Sequence, residues 1–373
     1  MKGIYISGDV CVLHDPTDED MPFLVRTDPS FRVESIQPGK GYVPKFQRLR
    51  DKKILLDRSI FELDCEELRA ILLGSIPVSN GTEEKYFYSL LDVLFALASR
   101  VMSCCNLCGY DCRNNRYVNA GGKCGLGSKI FSHGEFIHIA EESVVNPALT
   151  INLGGCALRC IYCIEHKLWD TSNLNSIDPK IMWKKLKALK DKETPINTLE
   201  FTNPIESLPG ILDLLIKAPT DFNKPIVLNS HMYGSKTSYE IAGPIVDVWL
   251  PDLRYGNNTC AKELSGVDHY MEHAKLGLEE MKKSGGKVLV RILVLPGHGV
   301  CCHEPAIRML SEYKDTVWVS ILDQYVPEHQ AHLDPNLKRR PTKEEIAEVE
   351  KLVEKFGLRN ISVAPETFWK GTV

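Results

Sequence analysis

The stretch GGCALRCIYC at residues 154–163 constrains this chain more than any other. It spaces Cys156, Cys160 and Cys163 as C-x-x-x-C-x-x-C and directly follows a short apolar run from Leu149 to Leu153. Three thiolates on one tight loop can ligate three irons of a cubane 4Fe-4S cluster and leave the fourth iron open to a substrate, because thiolate is the natural ligand of such clusters. The spacing alone also admits a three-thiolate zinc loop. Gly154 and Gly155 ahead of the cysteines, Tyr162 within the motif and the strand before it favour the cubane.

The 13 cysteines of this 373-residue chain cluster elsewhere too, with five between Cys104 and Cys124. The opening residues, MKGIYISGDVCVLHDPTDED, turn acidic where a signal peptide needs an apolar core. No apolar run approaches the roughly 18 to 20 residues that cross a bilayer. A cytoplasmic protein without a membrane partner is expected, and in that reducing compartment clustered thiols read as metal ligands.

Cys105, Cys108, Cys112 and Cys124 form the second group, C-x-x-C-x-x-x-C plus a distant thiol that Gly121 and Gly122 can turn back. Four thiolates suit a tetrahedral zinc or iron, or an auxiliary cluster, and Cys104 can stand in for Cys105. Cys11, Cys65 and Cys260 read as small buried hydrophobes, and the vicinal Cys301 and Cys302 as buried or spare thiols near a strand end. A net charge of -4 provides no general basic field, so duplex nucleic acid is not an expected partner.

From Leu149 onward, short apolar runs alternate with amphipathic stretches, the signature of βα units and a parallel sheet. Six strands are expected, at Leu149–Leu153, Thr198–Thr202, Ile226–Asn229, Val246–Leu250, Val288–Val294 and Val317–Leu322. Helices are expected at Pro179–Lys192, Asp268–Lys283, Glu304–Tyr313 and Thr342–Phe356, the last opened by a Thr342–Glu345 capping box. The fold class is therefore α/β, a partial (β/α)6 TIM-type barrel whose chemistry collects at the carboxyl ends of the strands. Met1–Leu55 shows no clear periodicity, whereas Ile60–Met102 carries apolar residues at helical spacing. Three regions follow: a largely helical N-terminal extension at 1–102, the four-cysteine segment at 103–128 and the barrel at 129–373.

The cluster loop closely resembles that of the radical S-adenosylmethionine (SAM) superfamily. The resemblance runs from Cys104 to Ile361 through CNLCGYDCRNNR, GGKCG, NPALTINLGGCALRCIYC, LNSHMYGS, VDVWLPDLRYGNNTCAKELS, LVRILVLPGH and ILDQYVPEH, and points to the proteins similar to pyruvate formate-lyase activating enzymes. It implies an anaerobic enzyme in which SAM, chelated at the open iron, is cleaved to a 5′-deoxyadenosyl radical. By the same resemblance, Tyr162, Asn203, Asn229, Ser230, Asp252, Arg254, Arg291 and Gln324 contact SAM. Family members carry Gly-Gly-Glu or Gly-Gly-Asp after the second strand; this chain has FTNPIES, with Asn203 and Glu206 nearby.

Two reactions are implied. In the first, the radical abstracts hydrogen from a carbon of a protein or peptide substrate, with flavodoxin or ferredoxin as low-potential electron donor. In the second, the chain is a cobalamin-dependent C-methyltransferase of a protein residue, with the N-terminal extension as substrate or cobalamin cap. His231 and His298, at strand ends, line the pocket or ligate cobalt in this second case, or serve as structural histidines.

Overall fold

The computed structural model describes residues 38, 41–75, 85–119, 121–139, 141–190, 196–363 and 365–369, and the strand paths at 3–7, 10–14 and 23–26. Short apolar runs such as GIYIS and VCVLH form Gly3–Ser7 (β1), Val10–His14 (β2) and Phe23–Arg26 (β3), which pair antiparallel in chain order. These strands correct the expectation of an aperiodic start to a largely helical extension. Runs of four or five residues are too short to stand out by periodicity, and sheet pairing decides their state. The side chain of Cys11 lies outside the described residues.

Helix Lys45–Asp51 (α1), strand Lys53–Leu56 (β4) and helix Cys65–Leu72 (α2) follow, the last opened by a reciprocal Asp64–Glu67 capping box. The stretch YFYS, expected to be helical, is strand Tyr86–Ser89 (β5), paired antiparallel with β4. Its aromatics suit a pleated surface better than a helix, and Ser89 then caps Leu90–Val101 (α3).

Strand Phe131–His138 (β6) runs antiparallel to Ala148–Leu153 (β7), and the two-residue Asn175–Ser176 (β8) pairs with β6. Then β7, Thr198–Thr202 (β9), Ile226–Ser230 (β10), Val248–Pro251 (β11), Lys287–Leu293 (β12) and Val317–Leu322 (β13) lie side by side in chain order, all parallel. The six expected strands are all present. Arg359–Asn360 (β14) extends one edge and β6 with β1–β3 the other, so the sheet forms an open, partial barrel. Seven helices accompany the strands: Pro179–Lys190 (α4), Leu208–Ile216 (α5), Lys236–Ala242 (α6), Asn258–Ser265 (α7), Tyr270–Ser284 (α8), Glu304–Ser311 (α9) and Lys343–Lys355 (α10). Gly285 ends α8 in the left-handed region, and Thr342 with Glu345 caps α10 as expected.

One core joins the barrel to the N-terminal helices, with Leu94 and Leu97 of α3 as fully buried as Leu212 and Leu215 of α5. Residues 41–51 attach at the amino ends of the strands. Tyr42 donates to Asp247 at 2.6 Å just before β11, Lys45 Nζ to the carbonyls of Gly243 and Ser284, and Arg50 to those of Ala218 and Pro219. The chain then climbs along α3 to the opposite end of the barrel. No helix among the described residues is long and apolar enough to cross a membrane.

Candidate active site

The three-cysteine loop leaves the carboxyl end of β7 through two glycines. Gly155 has φ +80°, a left-handed conformation that disfavours side chains, and a Cβ there would meet the Leu126 side chain at 2.5 Å. The loop is held by its backbone: Arg159 N–H donates to the Ser265 carbonyl (3.0 Å), Ile161 N–H to that of Leu264 (2.9 Å) and Ala157 N–H to the Glu206 carboxylate (3.0 Å). Ser265 Oγ donates to Cys160 Sγ at 2.8 Å, and Arg254 Nη1 lies 3.9 Å from the same sulfur.

Burial first, then Glu206 and the neighbouring Cys160, push the Cys156 thiol well above its ordinary range, and burial with Cys160 pushes Cys163 up to about 12. Such thiols ionise when a metal takes the proton's place. The three residues form one wall of a cleft with about 940 Å³ of empty space. The loop thus meets the donor requirement of a three-thiolate cluster.

Of the residues expected to contact SAM, Asn203, Asn229, Ser230, Asp252, Arg254 and Arg291 line this cleft. Tyr162 does not: it is buried, its hydroxyl 2.9 Å from that of Tyr255 and its ring edge-on to Tyr325. Gln324 donates to Glu141 and lines a neighbouring cavity with Glu142 and Ser320. Ser230 Oγ and Arg254 Nε are buried polar atoms without a hydrogen-bond partner. Both belong to cleft residues, and orphaned donors there suit a polar ligand.

The lining of the cleft carries a charge network that extends beyond the expected strand-end residues to His138, Thr150 and Glu200. Arg291 donates to Asp252 and Asn229 at 2.7 Å each and lies 3.5 Å from Glu141. Glu200 accepts from Thr150 (2.9 Å) and Asn229 (2.8 Å), with His138 at 3.6 Å. Burial would raise the Glu200 carboxyl, yet His138, Arg291 and Asn229 hold it down to about 2. Burial opposes charge on Arg291, but Asp252, Glu142, Glu141 and Glu200 keep it protonated. The signal was period two: Thr150 and Glu200 pair in register, as do Asn152 and Thr202 one step on, interrupting otherwise apolar strands.

In place of the missing Gly-Gly-Glu, Asn203 adopts a left-handed φ of 54° and donates its amide to the Gly155 carbonyl. Glu206 is buried behind the cluster loop, 3.1 Å from His231. His166 stacks on His329 at the rim, ring centroids 4.3 Å apart.

The four-cysteine segment lies at the same end of the barrel, its Gly109 N–H bonded to the Tyr233 carbonyl beyond β10. Cys105, Cys108 and Cys124 are buried, Cys104 and Cys112 exposed. A Cβ on Gly122 would meet Cys112 Sγ at 3.5 Å and Cys124 Sγ at 3.8 Å, so these two thiols converge on that turn. Among the described residues, however, the set whose ligand atoms all lie within 4.8 Å of one another is Cys260, His298, Cys301 and Cys302. Reading Cys260 as a small hydrophobe hid this set.

No family model matches the chain. It is similar to methylornithine synthase (PylB), with 14% identity, a TM-score of 0.41 and coverage of 81% of this chain and 77% of that one. Against anSMEcpe with bound AdoMet and Cp18Cys peptide the values are 13%, 0.42, 60% and 66%. The uncharacterized protein MJ0674 of Methanocaldococcus jannaschii is 32% identical over 335 residues, which cover 87% of this chain and 96% of the relative. The chain belongs to the family of that archaeal protein.

Proposed function

We propose that this chain is a radical SAM enzyme. The observation that carries the proposal is the convergence of Cys156, Cys160 and Cys163 with six polar strand-end residues on one cleft. When bound, a 4Fe-4S cluster supplies the electron that cleaves the sulfonium of SAM to a carbon-centred radical. The three cysteines would hold it. Arg254 and Ser265 set the charge around the Cys160 sulfur, Ser230 and Arg254 offer unsatisfied donors, and Arg291 fixes Asp252 and Asn229 in place. Leu158, Leu168, Trp169 and Phe136 give the cleft apolar walls, which limit water around a reactive radical.

The substrate in this proposal is a protein or peptide carbon from which hydrogen is abstracted, with a low-potential flavodoxin or ferredoxin as reductant. Its support is the resemblance of the motifs from Cys104 to Ile361 to activating enzymes, together with an open barrel edge. The test begins with anaerobic reconstitution in iron and sulfide. The reduced protein should show a cubane electron paramagnetic resonance signal that changes shape on adding SAM, as an open iron requires. A signal indifferent to SAM contradicts the proposal. Mass spectrometry of proteomes with and without the gene then reads the chemistry: a shift of one methyl group, with corrinoid retained on the purified protein, would replace hydrogen abstraction by methyl transfer.

A further inference from the structure

Away from the cleft, β12 ends in a turn, and Gly299–His303 is wound as a single π-helical turn before α9. Such turns are rare and concentrate at functional sites. This one brings Cys301 Sγ and Cys302 Sγ to 3.9 Å and sets His298 Nδ1 at 3.3 and 3.9 Å from them. Cys260 arrives from the first turn of α7. Gly256 makes the approach possible, since a Cβ there would lie 2.1 Å from the Cys302 carbonyl oxygen. Asn257 caps α7 and donates its amide to Cys260 Sγ at 3.2 Å and to the Cys301 carbonyl at 2.5 Å.

We infer that Cys260, His298, Cys301 and Cys302 bind a zinc-class divalent ion. A tetrahedral zinc, with sulfur at about 2.3 Å and nitrogen at about 2.05 Å, requires S···S near 3.8 Å and S···N near 3.5 Å. The observed 3.9, 3.3 and 3.9 Å lie close to three of those edges, and Cys260 Sγ is within 4.8 Å of the other three ligand atoms. Four protein ligands leave no open position, so the ion is structural. Asn257 supplies the outer hydrogen bond that orients a metal-bound thiolate. The ion joins the start of α7 to the segment between β12 and α9, and the far end of α7 carries the Leu264 and Ser265 groups that hold the cluster loop.

The test is cobalt titration of the anaerobic, fully reduced metal-free chain. The parent should take up one more equivalent of cobalt than a Cys260→Ser/Cys302→Ser variant, and the difference spectrum should show tetrahedral thiolate bands that zinc bleaches. Equal stoichiometry in the two proteins overturns the inference. Asn257→Ser keeps a capping side chain but removes the amide donor, and should weaken cobalt binding about 10- to 100-fold. If the double variant does not fold, alkylation decides: Cys301, only partly buried, should react in the metal-free parent and be protected by one equivalent of zinc. Protection absent, or a metal-resistant disulfide within the set, contradicts the site.

Discussion

The cluster loop and the Cys260–His298–Cys301–Cys302 set gather the same soft ligands in opposite ways. The loop draws three thiols from eight consecutive residues and leaves them facing a cleft. The other set draws four ligands from two segments nearly forty residues apart and turns them on one another. Contiguity suits an open cluster that exchanges ligands at one corner, whereas convergence suits a closed ion that ties elements together. The three loop cysteines are not among the sets within 4.8 Å. Their wider spread fits a multi-iron cluster better than a single ion.

The largest effect should come from Cys160→Ser. Iron content after reconstitution should fall to background while zinc at the second set stays unchanged; joint loss of both metals would break the distinction between the two regions. Next is Glu206→Ala, which removes the acceptor of the Ala157 N–H and the partner of His231 Nε2, while His231 Nδ1 keeps its bond from the Tyr233 N–H. Leaving these two buried polar groups unsatisfied costs about 2 kcal/mol each, readable by urea unfolding of the metal-free chain. Because the Glu206 carboxylate bonds to the loop and to His231, zinc retention at Cys260, His298, Cys301 and Cys302 should not change.

Electrostatic depth also separates the regions. Burial and then Glu141 raise the Glu142 carboxyl to about 7. A carboxyl raised on folding favours the native state below its ordinary range, and that contribution is lost as pH rises through the folded value. Glu142→Gln should therefore leave stability unchanged at pH 4 and add about 3 kcal/mol at pH 8. An identical gain at both pH values would remove the charge explanation. The smallest effect is expected for Ser265→Ala, which deletes the hydroxyl donor to Cys160 Sγ. It should lower the reduction potential of the cluster and cost about tenfold in iron affinity. No change would mean that the far end of α7 holds the loop by backbone alone.

What was legible in the sequence follows from these geometries. The loop and the six strands could be read directly because each is a local pattern: a fixed spacing, or an apolar run between helices. The strands β1–β3 and β5 could not, since their runs are too short to declare a state without a partner. Glu200 was missed because its meaning depends on lying in register with Thr150 and near His138. Cys260 was missed for a similar reason: nothing in CAKELS marks the cysteine as a partner of CCH until α7 and the π-helical turn meet. Tyr162 lies inside the motif yet points into the core, because its hydroxyl finds Tyr255 there.

The most direct test of the central claim is product analysis. The anaerobically reconstituted and reduced chain should convert SAM to 5′-deoxyadenosine and methionine, and the Cys160→Ser protein should not. A reconstituted protein that carries the cluster and binds SAM yet releases no 5′-deoxyadenosine would contradict the account.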